Sequence, residues 1–375
     1  MNKIKIAFFV SNLGQGGAER QLVELIKSID KNVFDVHFYL YAYQKETFYK
    51  EIFEIKNILI IKNKLKYENY LLKIIEALWY LKLATKRNDY DLIFTTLFMN
   101  NLFLRISSPN RYRNKVIANS RNSIKLYSKI HLFTEKILIK NSNLVFNSKD
   151  ALEDFKTVIN KKFHNKLHVI YNGFHIENSF RVGIKSKDLV TIGGLGRLCM
   201  QKNFSQLVRV FQLLNNEGIL NNKIDLILQG NNGDESKKIN NLINENATGI
   251  SLKKSNPNIN NFFNDINIMV LPSHFEGCPN VLFEAMIRKR ICVISNGANS
   301  DDFVIDGQSG FIYDGSDEGL LKSLKSAISI IGTKKEKEII NNAFNYASKN
   351  FGMEVMVNKY EELFKNIYEK NKSSN

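Results

Sequence analysis

Short runs of apolar residues alternate along the chain with longer segments in which apolar and polar residues recur at helical spacing. Short apolar runs bounded by loops are typical of buried strands, and their alternation with amphipathic segments predicts an α/β fold with parallel sheets and crossover helices. In the first half, the pattern predicts strands at residues 4–10, 36–40, 92–96, 116–118, 144–146 and 169–171. It predicts helices over residues 18–28 and 70–87, and a third that begins near residue 149 and is capped by Asn147 or Ser148.

The same alternation restarts after residues 174–188, where the periodicity is weak. Here the pattern predicts strands at residues 190–192, 224–228, 268–271 and 291–295, a helix over 204–215, and helical structure through 334–371. At roughly 150 residues per domain, a chain of 375 residues suits two domains. We therefore expect Rossmann-like domains over residues 1–173 and 189–350, a linker over 174–188, and a C-terminal helix within 351–375.

Composition narrows the functional classes. Basic residues exceed acidic ones by 53 − 37, and the net charge of +16 predicts an anionic partner such as nucleic acid, an acidic membrane or a phosphorylated substrate. Three cysteines, an odd number, do not suit a disulfide framework, so we expect a reduced, cytoplasmic setting. No apolar run is long enough for a transmembrane helix, and residues 6–10 are too short a run for a signal peptide.

The most informative segment is residues 271–286, which reads Leu-Pro-Ser-His-Phe-Glu-Gly-Cys-Pro-Asn-Val-Leu-Phe-Glu-Ala-Met. Proline is favoured at the first position of a helix, so Pro279 predicts that a helix begins near it. The backbone N–H groups around Asn280 and Val281 would then point into the preceding loop. A helix N-terminus placed in this way is typical of a phosphate-binding site.

Two glutamates, Glu276 and Glu284, flank this predicted helix start. Because carboxylates repel phosphate, they suit hydroxyl groups, a sugar at one end and a ribose at the other; the alternative is a helix cap and a surface charge. The pattern Pro-Ser-x-x-Glu-Gly-x-Pro-x-x-x-x-Glu-Ala-Met resembles the signature of the retaining GT-B glycosyltransferases of family 4, and residues 306–311 resemble another loop of that family. The resemblance implies that Glu276, which precedes Gly277, faces the donor sugar and that Glu284 binds the nucleotide ribose.

A second motif occupies residues 194–203, Gly-Leu-Gly-Arg-Leu-Cys-Met-Gln-Lys-Asn, between a predicted strand and a predicted helix. Arg197 and Lys202 are loop cations that can converge on one diphosphate, although they could also be two solvated cations of a basic protein. The segment resembles the family's Gly-Arg-Leu-x-x-x-Lys motif, which implies that both cations hold the donor diphosphate. The candidate catalytic residues are Glu276, Arg197 and Lys202. The candidate donor-binding residues are Glu284, Gly277, Asn280, Val281 and Gly196.

A third motif lies at residues 12–20, between the first predicted strand and helix. It lacks the G-x-G-x-x-G spacing of dinucleotide-binding loops, and alone it could be a tight turn. It resembles the family's Gly-Gly-Ala-Glu loop, which implies that Gly16 and Gly17 line the donor phosphate and the acceptor. Many members also carry a histidine that contacts the donor sugar. The corresponding residues 118–123 have none, and we expect Arg121 or Asn122 to take its place.

Two stretches combine apolar and basic residues. Residues 109–140 hold eight basic residues against one acid, and the predicted helix 70–87 carries Trp79 and Leu83 among lysines and an arginine. A basic amphipathic surface suits an anionic bilayer, although a solvated helix packed on its own sheet would look the same. Because no nucleic-acid-binding motif accompanies the charge, nucleic acid is not expected.

The resemblance also implies a reaction. A sugar, from a UDP-hexose or UDP-N-acetylhexosamine, would pass with retention to a hydroxyl of a glycan acceptor, which we expect to be lipid-linked and part of bacterial surface polysaccharide synthesis. We expect no cofactor and no metal, because Asp301-Asp302 lacks D-x-D spacing and no His/Cys pair has ligand spacing. The implied architecture is GT-B, in which two Rossmann-like domains face a cleft and the last helix returns to the first. The alternatives are a GT-B sugar-nucleotide 2-epimerase and an inactive membrane-associated scaffold.

Overall fold

The computed structural model describes residues 3–14, 16–45, 47–120, 128–176, 189–216, 223–245, 248–256 and 258–373. The chain forms two compact units, one of residues 1–173 with 353–375 and one of residues 174–352. Each unit is built around a parallel β-sheet, as the alternating pattern predicts. Residues 177–188, most of the expected linker, lie outside the described residues.

The first unit contains strands β1 (Ile4–Val10), β2 (Phe34–Leu40), β3 (Ile58–Lys62), β4 (Leu92–Thr96), β5 (Val116–Ser120), β6 (Ser142–Phe146) and β7 (Leu167–Val169). Its helices up to residue 173 are α1 (Gly17–Ser28), α2 (Tyr70–Arg87), α3 (Phe98–Ser107), α4 (Lys129–Leu138) and α5 (Lys149–Val158). The strands pair in the order β3-β2-β1-β4-β5-β6-β7. As predicted, the Ser148 side chain caps α5 and accepts a hydrogen bond from the backbone N–H of Ala151 at 3.2 Å.

The second unit contains strands β8 (Leu189–Leu195), β9 (Lys223–Gly230), β10 (Ile250–Lys254), β11 (Ile268–Leu271), β12 (Ile291–Ser295) and β13 (Phe311–Tyr313). Its helices are α6 (Phe204–Asn216), α7 (Ser236–Glu245), α8 (Asn260–Asp265), α9 (Asn280–Ile287), α10 (Asp317–Ser329) and α11 (Lys334–Phe351). The strands pair in the order β10-β9-β8-β11-β12-β13. Both sheets are therefore open and doubly wound, with a reversal of strand order near the middle.

The last helix, α12 (Met353–Ser373), belongs to the first unit. Tyr360 and Phe364 of α12 pack edge-on against Phe94 of β4, with ring centroids 5.7 and 6.0 Å apart. This face of the sheet also carries α1, while the opposite face carries α2 and α3, whose buried side chains include Ala77 and Leu104. The first sheet is thus covered on both faces, as parallel sheets require.

One predicted strand is misplaced. The expected strand at residues 169–171 is β7, Leu167–Val169. This strand pairs only with β6, whose last residue, Phe146, lies opposite Val169. Since β6 ends there, the ladder cannot extend to Tyr171. The predicted helical stretch 334–371 is also divided, because Gly352 separates α11 from α12.

Candidate functional site

The first and second sequence motifs follow neighbouring strands of the second sheet. In the second unit the chain winds from β8 to β9 and β10 on one side and returns to β11 on the other. The loops after β8 and β11, residues 196–203 and 272–279, therefore leave neighbouring strands at the carboxyl edge. In open α/β sheets, ligands bind at this point of reversal. The two segments that the sequence marks for diphosphate binding and for sugar binding thus lie side by side.

Lys202 and Glu276 connect these two loops directly. Lys202 Nζ donates a hydrogen bond to Glu276 Oε1 at 2.5 Å, and the Ser273 hydroxyl donates to the same oxygen at 2.6 Å. The side chains of Lys202 and Glu276 are 17% and 8% exposed. Hydrogen bonds between ionised groups are stronger than neutral ones, so this pair fixes the Glu276 carboxylate and the Lys202 ammonium relative to each other.

Backbone contacts support the same junction. The His274 N–H donates to the Gln201 carbonyl at 2.9 Å, and the Gln201 side-chain amide donates to the Phe275 carbonyl at 3.1 Å. These bonds flank the contact between Lys202 and Glu276 along both loops. The arrangement is therefore held by three separate interactions, which is the kind of support that preorganises a site.

Residues at the end of β12 and just after it hold the 272–279 loop from its other side. The Ser295 hydroxyl donates to the Ser273 carbonyl, and the Ser300 hydroxyl donates to the Glu276 carbonyl at 3.2 Å. Gly297 lies so close to the His274 carbonyl that a Cβ atom there would overlap it. A side chain at Gly297 would thus push the loop out of place, and the sequence reasoning identified none of these supporting residues.

Gly196 and Arg197 lie at the start of the first loop. The Lys202 stem packs over Gly196, with Cε at van der Waals distance, 3.4 Å, from the position a Cβ would take. Gly230, at the end of β9, approaches the Gly196 carbonyl so closely that it could carry no side chain. Arg197 is exposed, and in the part of the chain that the structure describes its guanidinium forms no ion pair. The structure therefore places one anchored cation and one accessible cation in this loop.

Helix α9 begins where the sequence predicts. Pro279 is its N-cap rather than its first helical residue, and its ring offers no side-chain hydrogen bond to the first turn. Asn280 and Val281, the first two helical residues, are partly exposed. The N-terminal end of α9 thus directly follows the loop that carries Glu276 and Gly277, and its backbone dipole favours an anion there.

Glu284 occupies a more buried position than the sequence suggests. It is 4% exposed, and its Oε2 atom accepts a hydrogen bond from Nη1 of Arg288, one helical turn later. Arg288 also donates to Asn260 Oδ1 at 2.7 and 3.1 Å and lies 5.0 Å from the Phe263 ring centre. The alternative of a surface charge is therefore wrong for Glu284. The i,i+4 spacing of Glu284 and Arg288 was a signal that could have revealed this pair.

The glycine loop of the first unit occupies the equivalent edge of the other sheet. Gly16 is the N-cap of α1, and Gly17 is its first residue. A Cβ at Gly16 would overlap the carboxylate of Glu19, so the glycine allows that side chain to fold back over the loop. Arg121 and Asn122, the expected replacements for the missing histidine, lie outside the described residues.

The described residues contain no cluster of three or more His, Cys, Asp or Glu side chains placed to hold a metal ion. The sequence does contain one D-x-D tripeptide, Asp89-Tyr90-Asp91, which the expectation of a metal-free site overlooked. It precedes β4, at the amino edge of the first sheet, and Asp91 accepts a hydrogen bond from the Lys5 N–H at 2.8 Å. It thus lies at the opposite edge of the first sheet from Gly16 and Gly17.

Two family models match the chain and together span residues 15–346. Glycosyltransferase Family 4 matches residues 15–178, and Glycosyl transferases group 1 matches residues 175–346. The chain belongs to these glycosyltransferases. The motifs around Gly16, Arg197 and Glu276 all fall within the matched residues.

Individual relatives are distant in sequence, and the share of the chain that they cover differs between them. A GalNAc-alpha-(1->4)-GalNAc-alpha-(1->3)-diNAcBac-PP-undecaprenol alpha-1,4-N-acetyl-D-galactosaminyltransferase of Campylobacter jejuni is 23% identical over 91% of this chain and 92% of its own length. The capsular polysaccharide biosynthesis glycosyltransferase CapM of Staphylococcus aureus is 24% identical over 59% of this chain and 54% of its own length. Anabaena HepE, solved in complex with UDP and glucose, has a TM-score of 0.78 at 18% identity and covers 97% of this chain and 100% of HepE. The glycosyltransferase has the GT-B fold. Among its described residues, no helix is both long and apolar enough to span a bilayer.

Proposed function

We propose that this glycosyltransferase moves a hexose or N-acetylhexosamine from a UDP-sugar to a hydroxyl group of a lipid-linked glycan, with retention of configuration, in bacterial surface polysaccharide synthesis. The observation that carries the proposal is the contact between Lys202 and Glu276 at the strand-order reversal of the second sheet. The UDP complex of HepE and the undecaprenol-linked substrate named for the Campylobacter relative support the choice of donor and acceptor.

The donor diphosphate would bind between the two loops. Lysine has three N–H donors, and Lys202 uses one on Glu276, which leaves donors for phosphate oxygens. The exposed Arg197 would add a planar pair of donors, and the first N–H groups of α9, at Asn280 and Val281, would add a third positive element. Together these groups would stabilise the charge that develops on the leaving diphosphate, the role of an oxyanion-type site.

The two glutamates would then have separate roles. Glu276, held by Lys202 and Ser273, would accept hydrogen bonds from the sugar hydroxyls, and the backbone of Gly277, the next residue, would line the donor beside it. Glu284 would bind the ribose hydroxyls, with Arg288 as a positioning residue that fixes its carboxylate. No side chain is assigned as a covalent nucleophile. In the retaining reaction that we propose, the leaving phosphate takes the proton of the acceptor hydroxyl.

The acceptor would bind to the first unit. Gly16 and Gly17 follow β1 at the carboxyl edge of its sheet. The order of the strands reverses between β1 and its neighbour β4. This is the equivalent of the donor position in the second unit. Arg121 and Asn122 complete the proposed acceptor region on grounds of sequence alone.

A membrane surface on the first unit would bring the enzyme to a lipid-linked acceptor. The side chains of Leu71, Ile75 and Trp79 form one exposed stripe along α2 at i, i+4 and i+8. A second exposed stripe follows α4 at i, i+3 and i+7, and it consists of Ile130, Phe133 and Ile137. Exposed lysines accompany both stripes, at Lys73, Lys82, Lys86, Lys129 and Lys136. Apolar side chains with surrounding lysines suit an anionic bilayer.

Turnover with defined substrates tests the proposal. The purified enzyme is incubated with UDP-glucose, UDP-galactose, UDP-GlcNAc and UDP-GalNAc, each with and without an undecaprenyl-diphosphate-linked glycan. Acceptor-dependent UDP release, an α-linked product by NMR, and no activity in Glu276→Ala are the expected results. An epimerised nucleotide sugar formed without acceptor would instead indicate the 2-epimerase. Absence of both turnover and UDP binding would support the inactive scaffold.

A further inference from the structure

An apolar cavity of about 240 Å³ lies in the first unit, at the carboxyl edge of its sheet. Its walls come from residues just after three strands: Ser11 follows β1, Tyr41 follows β2, and Met99 lies in the first turn of α3 after β4. Since β1 and β4 flank the reversal of strand order, this is a position at which α/β sheets bind ligands.

The lining of the cavity is almost entirely apolar. Ile74 and Ala77 of α2 and Phe103 of α3 contribute apolar side chains. The Tyr41 hydroxyl donates to Asn100 Oδ1, and the Asn100 side-chain amide donates to the Thr96 carbonyl at 2.9 Å. Burial raises the pKa of Tyr41, so its hydroxyl stays uncharged at neutral pH. The polar atoms of the wall are therefore paired with each other, which leaves an apolar lining.

The cavity opens beside charged and exposed groups. Tyr70 and Met99, both on its lining, are exposed, and so is Lys73, the one cation among the lining residues. The loop that leads from Ser11 to Gly16 starts at its wall. A ligand with an apolar chain inside and an anionic group at the mouth would match both the lining and Lys73.

We propose that this cavity binds the first carbons of the isoprenoid chain of the acceptor lipid, next to its diphosphate. The inference rests on the proposed function, because the acceptor is there assigned as lipid-linked. Apolar cavities of about 150 Å³ accept benzene, so a cavity of about 240 Å³ has room for a short branched chain. The exposed stripe of α2 lies on the same helix, so a chain could pass from the bilayer along α2 into the cavity.

Calorimetric titration with short prenyl phosphates tests the cavity without any sugar transfer. Each buried methylene contributes roughly fourfold in affinity, so geranyl phosphate should bind at least about tenfold more tightly than dimethylallyl phosphate, and inorganic phosphate should bind weakest. Ile74→Trp, which fills the cavity from α2, should abolish this dependence on chain length. Ile106→Trp is the matched control, because Ile106 is 57% exposed on α3, does not line the cavity, and should keep the dependence on chain length.

A second substitution that fills the cavity shows whether the loss of chain-length dependence comes from the filled cavity or from misfolding. Ala42→Leu narrows the cavity from the strand side and should also flatten the dependence on chain length, while UDP affinity stays unchanged in every variant. Equal affinities for geranyl and dimethylallyl phosphate in the unmodified enzyme would overturn the proposal. So would loss of vesicle binding in Ile74→Trp with unchanged prenyl phosphate affinity, since the cavity would then hold a bilayer lipid. UDP binding and donor turnover report separately on the proposed function.

Discussion

Lys202 and Glu276 are 74 residues apart in the sequence, yet Lys202 Nζ lies 2.5 Å from Glu276 Oε1 at the carboxyl edge of the second sheet. The pair joins the two loops that the sequence marks for diphosphate and sugar. Because both side chains are largely buried, removal of one leaves the other without its charged partner. The contact therefore contributes to the stability of the unit and also to the geometry of the site.

A double-mutant cycle measures this coupling. Lys202→Met should lower the free energy of unfolding by about 1–3 kcal/mol, because the buried carboxylate loses a hydrogen bond. Lys202→Met combined with Glu276→Gln should cost less than the sum of the single changes. The exposed pair Lys335–Glu338 is the control, and Lys335→Met should cost under about 1 kcal/mol in urea unfolding. Additive single changes would mean that the contact is absent in solution.

Substitutions of the two glutamates should have different effects, one on UDP binding and the other on turnover. We expect Glu284→Ala to weaken UDP binding by about 1–3 kcal/mol, and Arg288→Met to weaken it as well by releasing the Glu284 carboxylate. Arg288→Lys should restore part of the affinity, which a merely structural defect would not allow. Glu276→Ala should keep UDP affinity and lose turnover. If calorimetry shows the reverse pattern for the two glutamates, the donor binds in the opposite orientation.

Catalysis should not depend on a divalent metal. Arg197 and Lys202 supply fixed positive charge at the proposed diphosphate position, the role that a metal ion plays in other enzymes. Turnover in EDTA should match turnover in added Mg²⁺ or Mn²⁺. Activity that disappears in EDTA and returns with either ion would show that these cations are insufficient.

The membrane surface can be tested by co-sedimentation with vesicles. The enzyme should bind vesicles that contain anionic lipid, and binding should fall between 0.1 and 1 M salt as the Debye length shrinks from about 10 to about 3 Å. Trp79→Glu with Phe133→Glu should abolish binding, whereas Leu213→Glu, an exposed apolar position in the second unit, should not. Equal binding to neutral vesicles at both salt levels would contradict a surface that depends on lysines.

The strands that the sequence located best are the central ones. Residues 4–10, 92–96, 268–271 and 291–295 match β1, β4, β11 and β12 in full, because strands buried on both faces are continuous apolar runs. The strands it missed are β3, β10 and β13. β10 is a largely exposed edge strand, and it exists because it pairs with β9, which no local pattern encodes.

In the candidate site, too, local sequence patterns do not reveal which segments become neighbours in the fold. Residue types, spacing and the resemblance to the family together made Arg197, Lys202, Glu276 and Glu284 candidates, but the contact between Lys202 and Glu276 depends on β8 and β11 being neighbours in the sheet. The α4 stripe is a related case. The spacing of Ile130, Phe133 and Ile137 is typical of a helix face buried in a core, and only the structure shows that it is exposed.

Arg197 and Lys202 hold the diphosphate of the nucleotide sugar in the proposed donor site. Calorimetric titration of UDP against Arg197→Ala with Lys202→Ala tests it most directly. The control is Lys322→Ala with Lys337→Ala, which removes the same charge from exposed helix positions of the same unit. We expect the first variant to lose UDP binding, to stay folded and to drop in turnover by about 10²–10³ for each cation removed, while the control binds UDP normally. Unchanged UDP affinity in the first variant, or an equal loss in both, would contradict it.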